Sequence, residues 1–348
     1  MKQIEIFNEE SLELLDMCFA YESVKVVRKF RGIGSIEIAL TSLEEGDKFK
    51  VGRYICFNGE TYICEDVHQF KEANGTPKVE ISGRHINQLL AERVLLPDTA
   101  EEEGKIATLY SIKSGVAYSA LAVRMVKECF VDLVSPYNTG DWTGRIAPIE
   151  CKAHGATLLT ENDYTIKAPV LLSEALNKVL SNKRLGYCVK VDYEQKTRTF
   201  NVYEPETKDV LFSEMFGNIN DADFYENITD EKTKAIYASE GALVYSAQGS
   251  NASGLKRKEM LMDDSSSDWK TSHRAKKSAS FDALDTGTFK YKEDFDLGDI
   301  VDYYNATFGI STTQQIAEVT EQYDSIETVS ITIGDFIPTI YDRLKGVL

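Results

Sequence analysis

The sequence lacks most of the short patterns that enzymes, metal centres and membrane segments have in common. It contains no glycine-rich loop ending in lysine, no HExxH and no CxxC, which are the spacings used by nucleotide, zinc and redox chemistry. No apolar run approaches the roughly 18 residues that a membrane helix needs. These absences argue against a nucleotide-dependent enzyme, a metalloenzyme and a membrane-spanning protein.

Basic residues are also scarce. The chain has 39 Lys and Arg residues against 56 Asp and Glu residues, a net charge of −17. A protein that binds nucleic acid by neutralising phosphates needs a surplus of cations, so nucleic-acid binding is not predicted. The acidic surplus is either a solvated surface that keeps the protein in solution or the wall of a lumen that repels passing DNA. Composition alone leaves both open.

Cysteine is present, but not in a pattern that predicts disulfides. The N-terminus lacks the apolar stretch of a secretory signal, so we expect the chain to be made and folded in a cytosol, where thiols stay reduced. Cys56 and Cys64 flank the turn Asn58-Gly59, but a two-residue hairpin places them opposite Thr61 and Arg53 rather than opposite each other. We therefore predict six reduced, mostly buried thiols: Cys18, Cys56, Cys64, Cys129, Cys151 and Cys188.

Histidines and glycine pairs carry no recognisable site. Gly32-Ile33-Gly34 lacks the third glycine of a dinucleotide-binding loop and precedes a strand rather than a helix. The four histidines are scattered and are predicted to be ordinary structural or surface residues: His68, His85, His154 and His273. No catalytic, cofactor-binding or metal-binding residue is predicted.

A series of aspartates resembles half of a calcium-binding loop. A loop starting at Asp294 requires glycine at its sixth position and glutamate at its twelfth, where this chain has Asp299 and Asn305. A solvated strand edge, where charge prevents wrong pairing, is the better interpretation of Asp294, Asp296, Asp299 and Asp302. Because a glycosidase needs only two carboxylates, a hydrolase stays formally possible.

The first third of the chain shows the period of two that is typical of strands. Ile36, Ile38 and Leu40 alternate with polar or small residues, and Asn58-Gly59 predicts a hairpin turn. A short helix is expected over residues 84–93. Together these elements predict a small antiparallel sheet or barrel ending near Pro97.

The middle of the chain is predicted to be an α+β unit. Apolar residues recur at helical spacing over residues 116–133, after a connecting loop at residues 101–104. A second helix follows Pro169, with Gly186 as its expected stop. A hairpin over residues 187–202, with a polar turn at residues 194–197, completes the unit.

The last third returns to strands, predicted over residues 235–245, 300–304, 315–323 and 328–333. Between them, residues 249–280 are polar and are predicted to form a long exposed loop. The predicted domains are residues 1–97, the first β-domain; 98–207, the inserted α+β region; and 208–348, the second β-rich domain.

Several stretches keep the order of a known family pattern along nearly the whole chain. They are Tyr21-Glu22-Ser23, Val26-Val27-Arg28-Lys29-Phe30, Ile81-Ser82-Gly83-Arg84, Leu89-Leu90-Ala91-Glu92-Arg93, Phe200-Asn201-Val202-Tyr203, Phe212-Ser213-Glu214-Met215-Phe216-Gly217-Asn218, Gly254-Leu255-Lys256-Arg257-Lys258-Glu259, Asp296-Leu297-Gly298-Asp299-Ile300-Val301 and residues 316–323. In this order the stretches resemble a family of siphophage minor tail proteins that also occur in tail-like prophage particles. The chain departs from that family at residues 265–280, where relatives carry a longer helical segment.

The resemblance implies a mixed, β-rich α+β fold with two tube-type antiparallel β-barrel domains and an inserted α+β region. It implies a non-enzymatic baseplate hub, a homotrimer whose pseudo-sixfold ring joins the tail tube to the tip and lines the DNA channel. Because the chain ends about fifteen residues after its last predicted strand, we expect the hub module alone.

The hub role implies partners and a location. The expected partners are further copies of the chain, the distal tail protein, the tape-measure protein and tip or fibre proteins, with no sequence-specific nucleic-acid binding. The expected location is the tail tip of a virion assembled in a bacterial cytoplasm. Two other functions remain open from the sequence, a tail-associated peptidoglycan hydrolase and a receptor-binding adhesin.

Overall fold

A computed structural model describes residues 2–73, 75–97, 109–133, 138, 140–152, 158–160, 164–180, 184–239, 242–247, 253–262, 270, 273–284 and 289–335. Strands predominate in it. Among these residues, no helix is long and apolar enough to cross a membrane.

The first segment is a group of antiparallel strands with short helices between them. Its elements are β1 (Ile4–Phe7), β2 (Leu14–Cys18), β3 (Ser23–Lys29), β4 (Ser35–Leu40), α1 (Leu43–Gly46), β5 (Tyr54–Phe57), β6 (Glu60–Lys71), β7 (Pro77–His85), α2 (Gln88–Ala91) and β8 (Val94–Leu95). The predicted alternation on β4 is confirmed, because Ile36, Ile38 and Leu40 are all buried.

The turn between β5 and β6 is the predicted hairpin. Asn58 and Gly59 have φ angles of 53° and 79°, the conformation that a two-residue hairpin turn requires. The helix expected over residues 84–93 is wrong in its first half. Arg84 and His85 continue β7, where they pair with β4 and β6, and the helix is limited to Gln88–Ala91.

The middle segment contains the two predicted helices. Its elements are β9 (Leu109–Ile112), α3 (Tyr118–Phe130), β10 (Glu150–Lys152), β11 (Tyr164–Lys167), β12 (Val170–Leu171), α4 (Leu172–Leu180), β13 (Gly186–Asp192) and β14 (Thr197–Tyr203). Both helices bury their apolar sides in one core with β13 and β14. The loop predicted at residues 101–104 lies outside the described residues.

Gly186 does not stop a helix. It is the first residue of β13, and a Cβ atom at this position would lie 2.5 Å from the ring of Phe30. Glycine is therefore required here by close packing of the middle segment against the first segment.

The last segment is again made of strands. Its elements are β15 (Thr207–Phe212), β16 (Ile219–Asn227), β17 (Lys234–Ser239), β18 (Ala242–Ala247), β19 (Glu259–Leu261), β20 (Lys276–Ala283), β21 (Ile300–Asn305), β22 (Ile310–Tyr323) and β23 (Glu327–Gly334). The strands predicted over residues 300–304, 315–323 and 328–333 are confirmed. The single strand predicted over residues 235–245 is wrong, because β17 and β18 pair as an antiparallel hairpin.

The loop predicted over residues 249–280 is also wrong in part. β19 pairs with β17, and β20 lies between β16 and β23 in the main sheet. Ala279 is buried there, whereas the serines around it suggested an exposed loop. Within β20, the polar residues Ser278, Ser280 and Asp282 occupy alternate positions of the strand. Residues 249–252, 263–269, 271 and 272 of the predicted loop lie outside the described residues.

Within the described residues, thirteen strands form one sheet, in the order β16-β20-β23-β22-β3-β4-β7-β6-β5-β1-β2, with β21 and β15 branching from β22. The pairing of β22 with β3, from Glu318 opposite Lys29 to Tyr323 opposite Val24, joins the first and last segments. In this order the end strands β16 and β2 do not pair with each other. The two closed barrels and the division into three domains therefore stay predictions.

Candidate assembly surface and the ionic cluster behind it

The strands of the large sheet present one hydrophobic and one hydrophilic face. On β4, Ile36 and Ile38 are buried, whereas Glu37 between them is exposed. Successive side chains of a strand point to opposite sides of its sheet. The same alternation on the neighbouring strands therefore produces a continuous polar face that crosses the joint between β22 and β3.

One row of this polar face can be followed across five strands. Gln322 on β22 is opposite Lys25 on β3, and Lys25 is opposite Glu37 on β4. Glu37 is in turn opposite Ser82 on β7, and Ser82 is opposite Asp66 on β6. These residues line a shallow hollow of about 440 Å³. The row is hydrophilic along its whole length.

Charges of both signs occur on the polar face. Lys29 forms an ion pair with Glu318 at 3.5 Å, and Arg84 forms one with Glu65 at 2.7 Å. Cations that are paired in this way do not form the basic stripe that phosphate binding requires. Apart from Lys25, which is exposed between Gln322 and Glu37, the cations named here are paired, so these strands carry no continuous basic stripe.

Arg28 lies on the opposite side of the sheet, behind the polar face, where the alternation of β3 places core residues. Its guanidinium donates hydrogen bonds to Glu60 at 2.8 Å and to Asp296 at 2.7 Å, and its side chain is 12% exposed. Glu60 comes from the hairpin of the first segment and Asp296 from the last. One buried cation thus connects parts of the chain that are 268 residues apart in sequence.

Glu321 is the second centre of this ionic cluster. It is 1% exposed and accepts hydrogen bonds from the Tyr291 hydroxyl at 2.9 Å and from Asn58 at 3.0 Å. The Tyr323 hydroxyl also donates to it, and Lys292 pairs with it at 3.3 Å. A buried carboxylate with this number of donors is well compensated.

The buried carboxylates of the cluster stay ionised. Burial alone would raise the pKa of Glu60, but the hydrogen bond from His85 and the charge of Arg28 lower it to about 2. Burial likewise opposes ionisation of Glu321, yet Lys292 and the tyrosine hydroxyls lower its pKa. A general acid needs a pKa near the working pH. Glu60 and Glu321 therefore hold charge and do not exchange protons near neutrality.

His85 belongs to the cluster as a hydrogen-bond donor. The backbone N–H of Asn87 donates to its Nδ1 at 3.2 Å, which leaves Nε2 to carry the proton and to donate to Glu60 at 3.3 Å. Beside this contact lies a cleft of about 360 Å³, lined by all three segments of the chain, with Lys190 and Asn201 contributed by the middle segment.

The other histidines are not gathered into a site. His68 stacks on Phe70, with 4.8 Å between ring centroids, and the backbone carbonyl of His273 accepts a hydrogen bond from Lys232. His154 lies outside the described residues. Across the described ranges, no group of three or more His, Cys, Asp or Glu side chains is placed to hold a metal ion.

The six cysteines are free thiols. The predicted hairpin geometry is confirmed, since Cys56 pairs with Thr61 and the N–H of Cys64 donates to the carbonyl of Arg53. Burial raises the pKa of Cys18, Cys56 and Cys129 to about 12 and that of Cys64, Cys151 and Cys188 to about 11. Thiols with such pKa values are protonated at neutral pH and are poor nucleophiles.

The glycine pair and the aspartate series have structural roles. Gly34 lies in the turn before β4, where a Cβ atom would clash with the carbonyl of Val27. The solvated strand edge predicted for the four aspartates is wrong, because only Asp302 lies within a strand. Asp296 instead binds Arg28, and Asp299 and Asp294 accept hydrogen bonds from the backbone N–H groups of nearby turn residues.

The ionic cluster was not predicted from the sequence. A signal was present, because Arg28 and Glu321 occupy core positions in otherwise alternating strands. The charged residues that complete the cluster come from distant turns, however, and no local pattern connects them.

Several solved structures with the same fold are tail proteins. They include a tail protein from Neisseria meningitidis MC58, at 11% identity and a TM-score of 0.60 over 96% of this chain and 97% of the other. The prophage MuSo2 43 kDa tail protein from Shewanella oneidensis gives 10% identity, a TM-score of 0.59 and coverages of 95% and 97%. The prophage tail protein gp18 from Listeria monocytogenes EGD-e gives 11% identity, a TM-score of 0.53 and coverages of 100% and 98%.

The β-rich architecture is thus a tail-protein fold. The chain belongs to the Siphovirus ReqiPepy6 Gp37-like protein family, whose model matches residues 3–268 and 271–335. The resemblance to siphophage tail proteins seen in the sequence is therefore confirmed. No protein with a curated description matches the chain by sequence.

Proposed function

We propose that the chain is a baseplate hub, a homotrimer that joins the tail tube to the tail tip and lines the channel for DNA. The observation that carries this proposal is the polar face that continues across the pairing of β22 with β3. Two separate segments of one chain thereby supply one uninterrupted hydrophilic wall.

The two halves of the sheet support a ring. Four strands, β16, β20, β23 and β22, lie on one side of the joint, and β3, β4, β7 and β6 are the first four of the seven strands on the other. If each half forms one unit of the ring, three copies of the chain supply six units, which suits a threefold part placed against a sixfold tube. A ring also provides neighbours for the sheet's end strands, which would otherwise risk wrong pairing.

The chemistry of the polar face suits a DNA channel. DNA carries one negative charge for about every 1.7 Å of its axis, so a wall of unpaired cations would hold it. Glu37 and Asp66 lie on the face, and Lys29 and Arg84 there are paired with carboxylates. Such a wall lets the polyanion pass.

The hub role places the protein at the tail tip, in contact with the distal tail protein, the tape-measure protein and tip or fibre proteins. In this role the chain acts as a connector and catalyses no reaction. Its ionic cluster then holds the two wall segments at a fixed angle.

Electron cryomicroscopy of the tail particle that contains this chain tests the proposal. We expect three copies per tail, with the row from Gln322 to Asp66 facing the lumen. One copy, six copies, or a basic lumen formed by the opposite face of the sheet would refute it.

A further inference from the structure

The small sheet β18-β17-β19 has one face without a partner among the described residues. Ile236 on β17 is opposite Tyr245 on β18 and Leu261 on β19, and Leu243 lies on the same side, two residues before Tyr245. The exposed fractions are 78% for Leu243, 64% for Tyr245 and 80% for Leu261. Cross-strand neighbours are about 5 Å apart, so these side chains form one apolar stripe.

Uncompensated positive charge accompanies this stripe. Lys234, on the same face of β17, lies over the Tyr245 ring at 4.9 Å. Lys232, Lys234 and Lys256 form no ion pair within the described part of the chain, although this protein carries a net charge of −17. The stripe and these three lysines are called the basic sheet below.

A surface of the opposite character lies at the other end of the strand order, on and beside β2. The turn between β1 and β2 carries Glu9 and Glu10, which are exposed and form no ion pair with any described residue. Beside them, Leu14 and Leu15 on β2 are 45% and 44% exposed, and Phe19 is 55% exposed. These five residues are called the acidic edge below.

The two surfaces stand at opposite ends of the sheet order. β2 is the last strand at one end, and β17 begins seven residues after β16, the last strand at the other. No strand pairing among the described residues joins them within one copy. Two copies arranged head to tail can bring them together, and such heterologous contacts are the kind that close into rings.

We propose that the basic sheet of one copy binds the acidic edge of the next copy. The apolar side chains of both surfaces would then leave water, while the lysines would face Glu9 and Glu10. The inference rests on the self-assembly proposed above and adds the residues of the contact. Complementary charge of this kind accelerates association and makes it sensitive to salt.

The test uses two full-length variants, each with one surface disabled. Leu243→Ser/Leu261→Ser disables the basic sheet, and Leu14→Ser/Phe19→Ser disables the acidic edge. Sedimentation velocity is measured over a concentration series at low and high salt. Ile146→Ser, which removes an apolar side chain that is 57% exposed on the middle segment, is the matched control. Circular dichroism verifies that every variant is folded.

We expect the wild type and the Ile146→Ser control to assemble, with weaker assembly at high salt. Each disabled variant should assemble at least tenfold more weakly. An equal mixture of the two should form a species of two copies and no larger one, because one intact pair of surfaces remains.

Other outcomes would distinguish failure of this contact from failure of the proposed hub role. Normal assembly by the disabled variants, or a mixture that stays monomeric, would overturn the contact and leave the trimeric hub standing. A wild type that stays monomeric at every concentration would overturn the contact and weigh against self-assembly itself.

Discussion

Arg28 lies at a position of β3 where the neighbouring Val24 and Val26 are buried against the core. A charge at such a site is costly unless it is paired and hydrogen-bonded. Glu60 and Asp296 provide that pairing, and Glu321 adds a further carboxylate 4.0 Å from the guanidinium. The buried charges therefore specify how the first and last segments meet.

The lowered pKa of Glu60 predicts a pH-dependent contribution to stability. Its folded pKa, about 2, lies below the ordinary value of 4.5, so the contribution is complete above pH 4.5 and is lost as the pH falls towards 2. We expect Glu60→Gln to lower the free energy of unfolding most near neutral pH, with the difference from wild type shrinking below pH 4.5. Chemical denaturation at a series of pH values measures this difference.

The control for Glu60 is Glu37→Gln, which removes an exposed carboxylate from the polar face. Surface substitutions of this kind change stability by about 0.5 kcal/mol or less. The difference in the free energy of unfolding between wild type and Glu60→Gln could instead be constant from pH 7 to pH 2. That result would show that the Glu60 carboxylate is not held ionised by its partners.

At the scale of single elements, the sequence predicts strands best where every second residue is apolar. β4, the hairpin at Asn58-Gly59 and β23 follow from local pattern and turn chemistry, and the structure confirms them. β20 could not be recognised, because residues 249–280 are mostly polar and because only Ala279 separates Ser278 from Ser280 on the strand itself. Tertiary pairing with β16 and β23 decides its conformation.

A new charge is expected to change the free energy of unfolding by different amounts on the two faces of β20. Ala279 is 3% exposed, so Ala279→Asp buries an unpaired carboxylate and should lower the free energy of unfolding by about 3 kcal/mol or more. Ser280→Asp, one residue further on the polar face, should change it by about 1 kcal/mol or less. Thermal or urea unfolding of both variants checks this.

Equal effects of the two β20 substitutions would contradict the assigned strand. A tolerated Ala279→Asp, in particular, would mean that this stretch is the exposed loop expected from its polarity.

At the scale of the whole molecule, the family and the fold class were accessible from the order of motifs, whereas the ionic cluster and the acidic edge were not. The order of motifs can be read directly along the amino-acid sequence. The cluster brings together residues more than 200 positions apart, and a surface exists only once the chain has folded, so neither leaves a local signature.

The structure also predicts how the whole molecule behaves in an activity assay. Its thiols are protonated at neutral pH, and the carboxylates of its buried cluster stay ionised. We expect the purified chain to clear no peptidoglycan in a zymogram run beside a known hydrolase. Clearing that a single Asp or Glu substitution abolishes would contradict the structural role.

The pairing of β22 with β3 sets the order in which the protein can be completed during synthesis. β3 leaves the ribosome early, but its partner strand is translated almost 290 residues later. Until then one side of β3 has unsatisfied backbone hydrogen bonds, and Arg28 lacks Asp296. Contacts between such distant residues form slowly, so the nascent chain is exposed to wrong pairing for most of its translation. A chain interrupted before β22 would lack part of the polar face and would leave β3 as an additional open strand edge, which distinguishes it from a chain that contains β22.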